Sequence, residues 1–148
     1  LEMVYRYLGL NVSQEELFEK YKTADPHNPN GGRINTIDLA IDAKSRGLAS
    51  GVLAADFSDI TSTISLLKVF LDSGIPIVVC QQYSSADHLT GHFRLVLGID
   101  DEWIYLHDPD NAIENGRPHK LAHKDFFQLW QPTGENVTGG KFVWIKKI

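Results

Sequence analysis

The spacing of apolar positions divides the chain into a helical first part and a second part rich in strands. Early in the chain, apolar side chains recur every three or four residues in four segments, which predicts four helices. Runs rich in β-branched and aromatic residues predict strands, and these cover 48–54, 75–82, 92–99, 103–107 and 142–148, with a short helix around 125–130. Helices that mostly precede strands favour an α+β domain with an antiparallel sheet over a doubly wound parallel sheet.

Local signals mark the first two predicted helices. The first helix ends at Gly9, and its inward stripe consists of Leu1, Val4, Tyr5 and Leu8. The second begins at Ser13, because Ser13 and Glu16 have the spacing of a capping box. The segment 23–33 contains prolines and paired glycines, and it is predicted to be an irregular surface loop.

Similar signals delimit the third and fourth helices. Asn35 or Thr36 is predicted to cap the third helix, and Gly47 ends it because glycine readily adopts a left-handed conformation. Its predicted inward residues are Ile37, Ala40 and Ile41. The fourth helix is predicted to begin at Ser58 or Asp59, and its apolar stripe comprises Ile60, Ile64, Leu67 and Leu71.

Composition limits the classes of partner. A chain of 148 residues with 43% hydrophobic content has the size of one domain, so residues 1–148 are predicted to form a single domain. Fourteen Lys and Arg residues stand against nineteen Asp and Glu, and the absence of a basic run argues against a nucleic-acid partner. Lys68, Asp72 and Gly74 interrupt the longest apolar stretch, so we expect no membrane contact by this domain.

Cys80 is the only cysteine in the sequence, which excludes an internal disulfide framework and a cysteine-rich zinc site. It lies among apolar residues of the predicted strand 75–82, where alternation describes a buried small side chain. Burial raises the pKa of a thiol, which is the opposite of what nucleophilic attack requires. Cys80 is therefore predicted to be a core residue.

Two sequence patterns superficially resemble metal sites. His88 and His92 have the spacing of zinc ligands on a helix, but the threonine and glycine between them and the strand that follows make a helix improbable. Asp108 and Asp110 resemble the start of a calcium loop, but Ala112 occupies a ligand position and the required Gly and Glu do not follow. We expect neither a metal nor another cofactor.

The predicted strands 92–99 and 103–107 are joined by three acidic residues, a length typical of antiparallel hairpins. A loop centred at residue 100 or 100.5 places His92 opposite Asp108 or Pro109, and directly opposed Cβ atoms lie about 4.5–5.5 Å apart. A carboxylate beside an imidazole fixes its tautomer and leaves the other ring nitrogen as a base. A local alternative stays open, in which Asp108 only begins a turn and His92 only caps a strand.

The residues around this pair resemble a known family. The string Gly-His-Phe-Arg-Leu-Val-Leu-Gly-Ile-Asp at 91–100, followed by Tyr-Leu-His-Asp-Pro at 105–109, is similar to the His and Asp motifs of the double-glycine leader peptidases. These bacterial, bacteriocin-processing enzymes belong to the papain-like superfamily. Residues 1–9 resemble the end of that family's first helix, and the segments 74–79 and 126–130 have counterparts there in the same order.

The resemblance implies a papain-like cysteine peptidase fold, with N-terminal helices packed on a C-terminal antiparallel sheet. It implies that His92 acts as base and then as acid, and that Asp108 orients it. In the family, the nucleophilic cysteine stands at the N-terminus of the first helix, and a glutamine a few residues earlier contributes to the oxyanion hole. Both are expected upstream of Leu1, outside this chain. The implied substrate is a peptide or protein cut after a small-residue pair such as Gly-Gly.

Two other functions remain compatible with the same residues. The domain could be a catalytically inactive peptide-binding module of a larger transporter or secretion protein, or it could transfer the acyl group to an amine instead of water. The sequence is also compatible with attachment of this domain to a larger protein. The sequence is equally compatible with a cytoplasmic and with a secreted protein.

Overall fold

The computed structural model describes residues 1–25, 28–110, 118–133 and 139–148, and for residues 28–30 it describes the backbone only. Within these ranges the helices are α1 (Glu2–Tyr7), α2 (Gln14–Tyr21), α3 (Thr36–Ser45), α4 (Ile60–Asp72) and α5 (His123–Trp130). The strands are β1 (Thr23–Asp25), β2 (Asn28–Arg33), β3 (Ala49–Ala54), β4 (Ile77–Gln82), β5 (Gly91–Ile99), β6 (Trp103–His107), β7 (His119–Ala122) and β8 (Lys141–Lys146).

The main sheet has six strands in the order β3-β8-β4-β5-β6-β7, and every neighbouring pair is antiparallel. The helices α1, α2 and α3 pack against one face of this sheet, where the buried strand residues are Val78, Val143 and Ile145. The helices α4 and α5 pack against the other face, and Trp130 at the end of α5 is completely buried there. The predicted α+β class with an antiparallel sheet is confirmed.

The sequence signals for helix ends correspond to caps in the structure. Ser13 Oγ accepts a hydrogen bond from the Glu16 N–H at 3.1 Å, and Asn35 forms a capping box with Asp38 at the start of α3. Gly9, like the glycine after α3, has a positive φ angle, here 80°, which an L side chain rarely adopts. No helix in the described ranges is long and apolar enough to cross a membrane.

The prediction of an irregular loop over 23–33 is wrong. Apart from residues 26 and 27, which lie outside the described ranges, this segment forms the two-stranded antiparallel sheet of β1 and β2. The pairing uses backbone groups, which glycine also provides, and the Thr23 hydroxyl adds a hydrogen bond to the Arg33 carbonyl at 3.2 Å. A Cβ on Gly32 would lie 3.2 Å from the Phe18 ring, so the absence of a side chain lets this sheet approach α2.

The predicted inward face of α3 is also wrong in two of its three residues. Ile37 and Ile41 are 53% and 49% exposed, whereas Ala40 is buried as predicted. The buried face of α3 consists of Thr36, Leu39, Ala40, Asp42 and Ala43. The predicted and the observed inward residues of α3 both recur at helical spacing. The observed face is the one that places Asp42 in the core.

Asp42 anchors a buried hydrogen-bond network that joins the three helices on this face of the sheet. Its carboxylate accepts hydrogen bonds from Tyr5 Oη at 2.6 Å, Arg46 Nε at 2.7 Å, Lys20 Nζ at 2.9 Å and Tyr21 Oη at 3.0 Å. Burial would raise the pKa of the Asp42 carboxyl, but these hydrogen bonds outweigh that effect and lower the pKa to about 2. The network therefore holds a charged carboxylate in a position with no solvent exposure.

Candidate active site

The candidate site is built on the hairpin of β5 and β6. The connecting turn closes with a hydrogen bond from the Asp100 N–H to the Trp103 carbonyl at 3.0 Å. The Asp100 carboxylate also accepts from the backbone N–H groups of Glu102 and Trp103, at 2.9 and 2.7 Å. These bonds explain why aspartate occupies this position, since its side chain satisfies turn N–H groups that lack strand partners.

The pairing register of the hairpin differs from the predicted one. Ile99 pairs with Ile104 next to the turn, and an irregularity between Val96 and Gly98 then shifts the register, so that Leu95 pairs with His107. The next residue outward, Asp108, consequently lies beside Arg94 and diagonally from His92. The prediction that His92 lies directly opposite Asp108 or Pro109 is therefore wrong. The turn is centred between residues 101 and 102, at least one residue later than predicted, and the irregularity in β5 offsets only part of this difference.

The structure nevertheless brings His92 and Asp108 together. Their side chains share a face of the sheet as diagonal neighbours, and long side chains can meet at that spacing. His92 Nε2 lies 2.6 Å from Asp108 Oδ1, and the two side chains are 11% and 1% exposed. The contact was predicted from the sequence, although through an incorrect register.

The charge state of Asp108 fixes the tautomer of His92. Burial would raise the pKa of the Asp108 carboxyl, but hydrogen bonds from His92 and Arg94 outweigh burial and hold that pKa well below its ordinary value. An ionised carboxylate can only accept, so Nε2 of His92 must carry the proton that it donates. The lone pair of a neutral His92 is then on Nδ1, where it can act as a base.

Arg94 is a part of this site that the sequence analysis missed. Its Nε donates to Asp108 Oδ2 at 2.7 Å, so the two oxygens of the carboxylate are directed to two different side chains. Arg94 is only 4% exposed. The signal for it was present in the sequence, because an arginine two residues after His92 on a strand points to the same face.

Tyr83, directly after β4, is a second neighbour that the sequence did not indicate. Its ring meets the His92 ring edge to face, with centroids 5.2 Å apart and an interplanar angle of 82°. The loop that follows is tied back by His88, whose Nδ1 lies 2.7 Å from Gln82 Oε1. Nothing in the composition of this loop distinguishes Tyr83 from an ordinary loop aromatic residue.

A cleft of about 610 Å³ lies between the helices and the sheet, and His92 contributes to its wall. The start of α1 lines the same cleft through Leu1, Glu2, Met3 and Val4. Most of the remaining wall is apolar and includes Leu17, Phe18, Val78, Phe93 and Leu95. The first helix and His92 therefore line one common cleft.

Cys80 also borders this cleft, but it is only 4% exposed and belongs to the interior strand β4. Its predicted burial is confirmed. No group of three or more potential metal ligands occurs in the parts of the chain that the structure describes. The calcium-loop pattern extends to Ala112, which lies outside those parts.

Comparison with known proteins assigns this arrangement to a family. A family model described as "Peptidase_C39 like family" matches residues 1–138. The chain belongs to this C39-like peptidase family. A search of curated proteins finds no match.

Two solved structures show the fold that the C39-like family member adopts. The peptidase domain of Streptococcus ComA, a bifunctional ABC transporter involved in quorum sensing, superposes with a TM-score of 0.62 at 16% identity, covering 98% of this chain and 85% of that domain. A Bacillus anthracis protein described as a C39-like peptidase gives a TM-score of 0.67 at 18% identity, covering 99% and 85%. The predicted papain-like peptidase fold is thereby confirmed, as is the resemblance to double-glycine peptidases.

Proposed function

We propose that this domain is a cysteine peptidase that hydrolyses peptide bonds, with His92 as its general base and acid and Asp108 as the residue that orients His92. The observation that carries the proposal is the 2.6 Å contact between Nε2 of His92, which lines the cleft, and a buried, ionised Asp108. Membership of the C39-like peptidase family supports the same reaction class.

The proposed chemistry follows from the two ring nitrogens of His92. Nδ1 removes the proton from a cysteine thiol, and the resulting thiolate attacks the peptide carbonyl carbon. The imidazolium then donates this proton to the departing amine, which leaves an acyl-enzyme thioester. Water, deprotonated by the same nitrogen, hydrolyses the thioester and regenerates the thiol. Asp108 stabilises the imidazolium during both steps.

The nucleophile in this proposal is a cysteine in residues that precede Leu1, and a glutamine further upstream supplies an oxyanion-hole donor. Leu1 and His92 border the same cleft, so a chain continuing α1 backwards would enter the space beside the imidazole. Such a cysteine would stand within about one to two helical turns of Leu1.

The proposed substrate is a peptide or protein cut after a small-residue pair such as Gly-Gly. ComA carries its peptidase domain within a larger transporter. We propose that the present domain can likewise be attached to a larger protein, and that its substrate is delivered as an extended segment.

The first test uses full-length protein that includes the residues before Leu1, and its intact mass after exposure to iodoacetamide near neutral pH. We expect one alkylation, mapped by peptide mass spectrometry to an upstream cysteine. His92→Ala should slow this alkylation by about ten- to thirtyfold, because a thiol with the ordinary pKa of about 8.5 is only about 3% thiolate near pH 7. His123→Ala is the matched control, since His123 bonds the Asp100 carbonyl at the opposite end of the hairpin. Undiminished alkylation of His92→Ala would contradict the proposal.

Cys80→Ala distinguishes the two possible thiols. We expect this variant to be alkylated as fast as wild type, because Cys80 is buried in β4. Loss of labelling in Cys80→Ala would identify Cys80 as the reactive thiol and overturn the assignment of an upstream nucleophile.

Product analysis separates the three functions that share these residues. Incubation with a peptide containing an internal Gly-Gly pair should give two fragments with free carboxylate and amine ends, and the matched Leu-Leu peptide should be cut more slowly. Fragments joined to an added amine would show acyl transfer instead. Saturable binding without fragments, in protein that contains the upstream cysteine, would identify a non-catalytic binding module.

A further inference from the structure

Arg94 occupies an unusual position for a charged residue. It lies in the interior strand β5, between β4 and β6, and is 4% exposed. Burying a guanidinium group is costly unless its donors find acceptors, and an apolar side chain of similar volume would often stabilise a core equally well. The position therefore calls for an explanation beyond packing.

The hydrogen bonds of Arg94 connect two separate parts of the site. At one end of the guanidinium, Nε donates to Asp108 Oδ2 at 2.7 Å. At the other end, Nη1 donates to the Gln82 carbonyl at 3.1 Å and Nη2 donates to the Tyr83 carbonyl at 2.8 Å. The planar fork thus spans from the start of the loop after β6 to the end of β4.

Both ends of this bridge lead to His92. Asp108 holds Nε2 of the imidazole through its other oxygen at 2.6 Å, and the Tyr83 ring covers the imidazole from the side. His92 therefore contacts two groups, the Asp108 carboxylate and the Tyr83 ring, and Arg94 hydrogen-bonds to both of these residues.

We propose that Arg94 is a positioning residue for the His92–Asp108 pair, which aligns Asp108 Oδ1 with Nε2 and holds the Tyr83 backbone so that its ring borders the imidazole. This inference rests on the proposed function for its catalytic meaning, whereas the alignment itself can be measured independently. In this proposal Arg94 acts on the reaction through Asp108 and Tyr83, the two residues that it hydrogen-bonds beside His92.

Substitutions of Arg94 separate charge from geometry. Arg94→Met removes both bridges and leaves Asp108 Oδ2 without the guanidinium, so burial is then expected to raise the pKa of the Asp108 carboxyl. Arg94→Lys retains a positive charge but, as a single ammonium group, cannot reproduce the fork that reaches both Asp108 and the carbonyl groups after β4. We therefore expect Arg94→Lys to retain the alignment of Asp108 with His92 only in part.

The matched control is Arg46→Met. Arg46 Nε bonds a buried aspartate, Asp42 Oδ2, at the same 2.7 Å as Arg94 Nε bonds Asp108. Removing it also destroys a buried Arg–Asp pair, but in the helical part of the fold and without contact to His92. All variants are compared at a temperature at which circular dichroism shows them folded.

The first readout is the rate of iodoacetamide alkylation of full-length protein as a function of pH. Near about pH 6, thiolate exists mainly as an ion pair with the imidazolium, whereas above about pH 9.5 an ordinary thiol ionises without help. Arg94→Met should react about ten- to a hundredfold more slowly than wild type near pH 6 and within a factor of about two above pH 9.5, because misalignment at a reacting group costs up to about a hundredfold. Near pH 6 the alkylation rate of Arg94→Lys should lie between those of wild type and Arg94→Met. Arg46→Met should be alkylated at the wild-type rate at every pH.

The second readout is the ¹³C carboxyl resonance of Asp108 in aspartate-labelled protein during an acid titration. His92 and Arg94 from β5 and the backbone N–H of Asp110 donate to Asp108. The other acceptors of Arg94 are uncharged, namely the Gln81 side-chain oxygen and the backbone carbonyls at the end of β4 and directly after it. We expect the protonation midpoint of Asp108 to rise by about one unit or more in Arg94→Met, since an adjacent opposite charge usually lowers a carboxyl pKa by one to three units.

The two readouts distinguish failure of this inference from failure of the proposed function. If His92→Ala reacts like wild type, the peptidase proposal is wrong, and the aspartate titration alone decides whether Arg94 controls Asp108. An Asp108 midpoint that does not change in Arg94→Met overturns the inference in every case. If Arg94→Met does not fold, Arg94→Lys decides through its pH profile, and a profile identical to wild type overturns the inference.

Discussion

The molecule contains two buried aspartates that resemble each other closely, one among the helices and one directly after strand β6. Asp42 and Asp108 each accept a 2.7 Å hydrogen bond from the Nε atom of a partly or fully buried arginine. Each side chain is at most 1% exposed, and the pKa of each carboxyl lies well below its ordinary value. Local geometry and charge alone therefore do not distinguish a structural carboxylate from one at the candidate active site.

The difference lies in the remaining partners. Asp42 also accepts hydrogen bonds from two tyrosines and a lysine, and these bonds tie the helices together. Asp108 also bonds His92, whose other ring nitrogen can act as a base and which lines the cleft. A buried carboxylate thus becomes functionally informative when one of its partners can exchange protons with a substrate.

The largest expected effect comes from replacing each aspartate by asparagine and measuring hydrolysis of the Gly-Gly peptide. Asp108→Asn should reduce the rate by about a thousandfold or more, which corresponds to about 4 kcal/mol, because an amide can stabilise the wrong imidazole tautomer and cannot stabilise the imidazolium. Asp42→Asn should leave the rate within a factor of about two while the protein stays folded. Comparable losses in both variants would remove the functional distinction between the two carboxylates.

The sequence predicted the elements that depend on local signals. Caps and apolar spacing predicted α1 to α4 almost to the residue, and strand-like segments of the sequence predicted β3, β4, β5, β6 and β8. The strands that it missed depend on partners instead. β7, with the sequence His-Lys-Leu-Ala, has little intrinsic strand preference, and it forms a strand by pairing with the edge of β6.

The candidate site was predicted in part, for a similar reason. His92 and Asp108 could be paired because a hairpin keeps neighbours in sequence close in space. The register was wrong because the turn is centred between residues 101 and 102, later than predicted. The role of Arg94 depends on carbonyl groups at the end of β4 and directly after it, which only the folded sheet brings near. The inward face of α3 was mispredicted because Asp42 is buried by partners from α1 and α2, which helical spacing does not reveal.

The second-largest expected effect is a loss of stability, and it concerns mainly Asp42, the aspartate among the helices. Asp42→Ala should lower the free energy of unfolding by about 3–4 kcal/mol, because it leaves the buried Tyr5 hydroxyl and the Arg46 guanidinium without their shared acceptor. Urea denaturation followed by circular dichroism measures this loss. At urea concentrations below its unfolding transition, the Asp42→Ala variant should still react with iodoacetamide at the wild-type rate. A loss below about 1 kcal/mol would show that the network contributes little to folding.

The third effect is a dependence of stability on acid pH. The pKa of the Asp42 carboxyl is about 2 in the folded protein and near 3.8 in an unfolded chain, so the charged form favours folding. Its contribution is complete above about pH 4 and is lost as the pH falls towards 2, a loss of about 2 kcal/mol. Urea denaturation of wild type at intervals between about pH 5 and pH 2 should therefore show falling stability, to which Asp108 adds in the same direction.

Asp42→Asn is the control for this titration, because asparagine does not ionise. Its free energy of unfolding should start lower near pH 5 and should decline less steeply towards pH 2 than that of wild type. Parallel curves for the two proteins would mean that the charge of Asp42 does not contribute to the acid sensitivity of the fold.

The smallest expected effect compares the tyrosines beside the two aspartate sites. Tyr5 is fully buried and donates to Asp42 at 2.6 Å, whereas Tyr83 is 40% exposed and contacts His92 through its ring edge. Tyr5→Phe should lower the free energy of unfolding by about 1–2 kcal/mol, because the hydrogen bond to a charged acceptor is lost. Tyr83→Phe retains the ring and should change stability by less than about 0.5 kcal/mol. Urea denaturation of both variants at neutral pH measures the difference, and an equal loss in both would show that the Tyr83 hydroxyl contributes to folding as much as that of Tyr5.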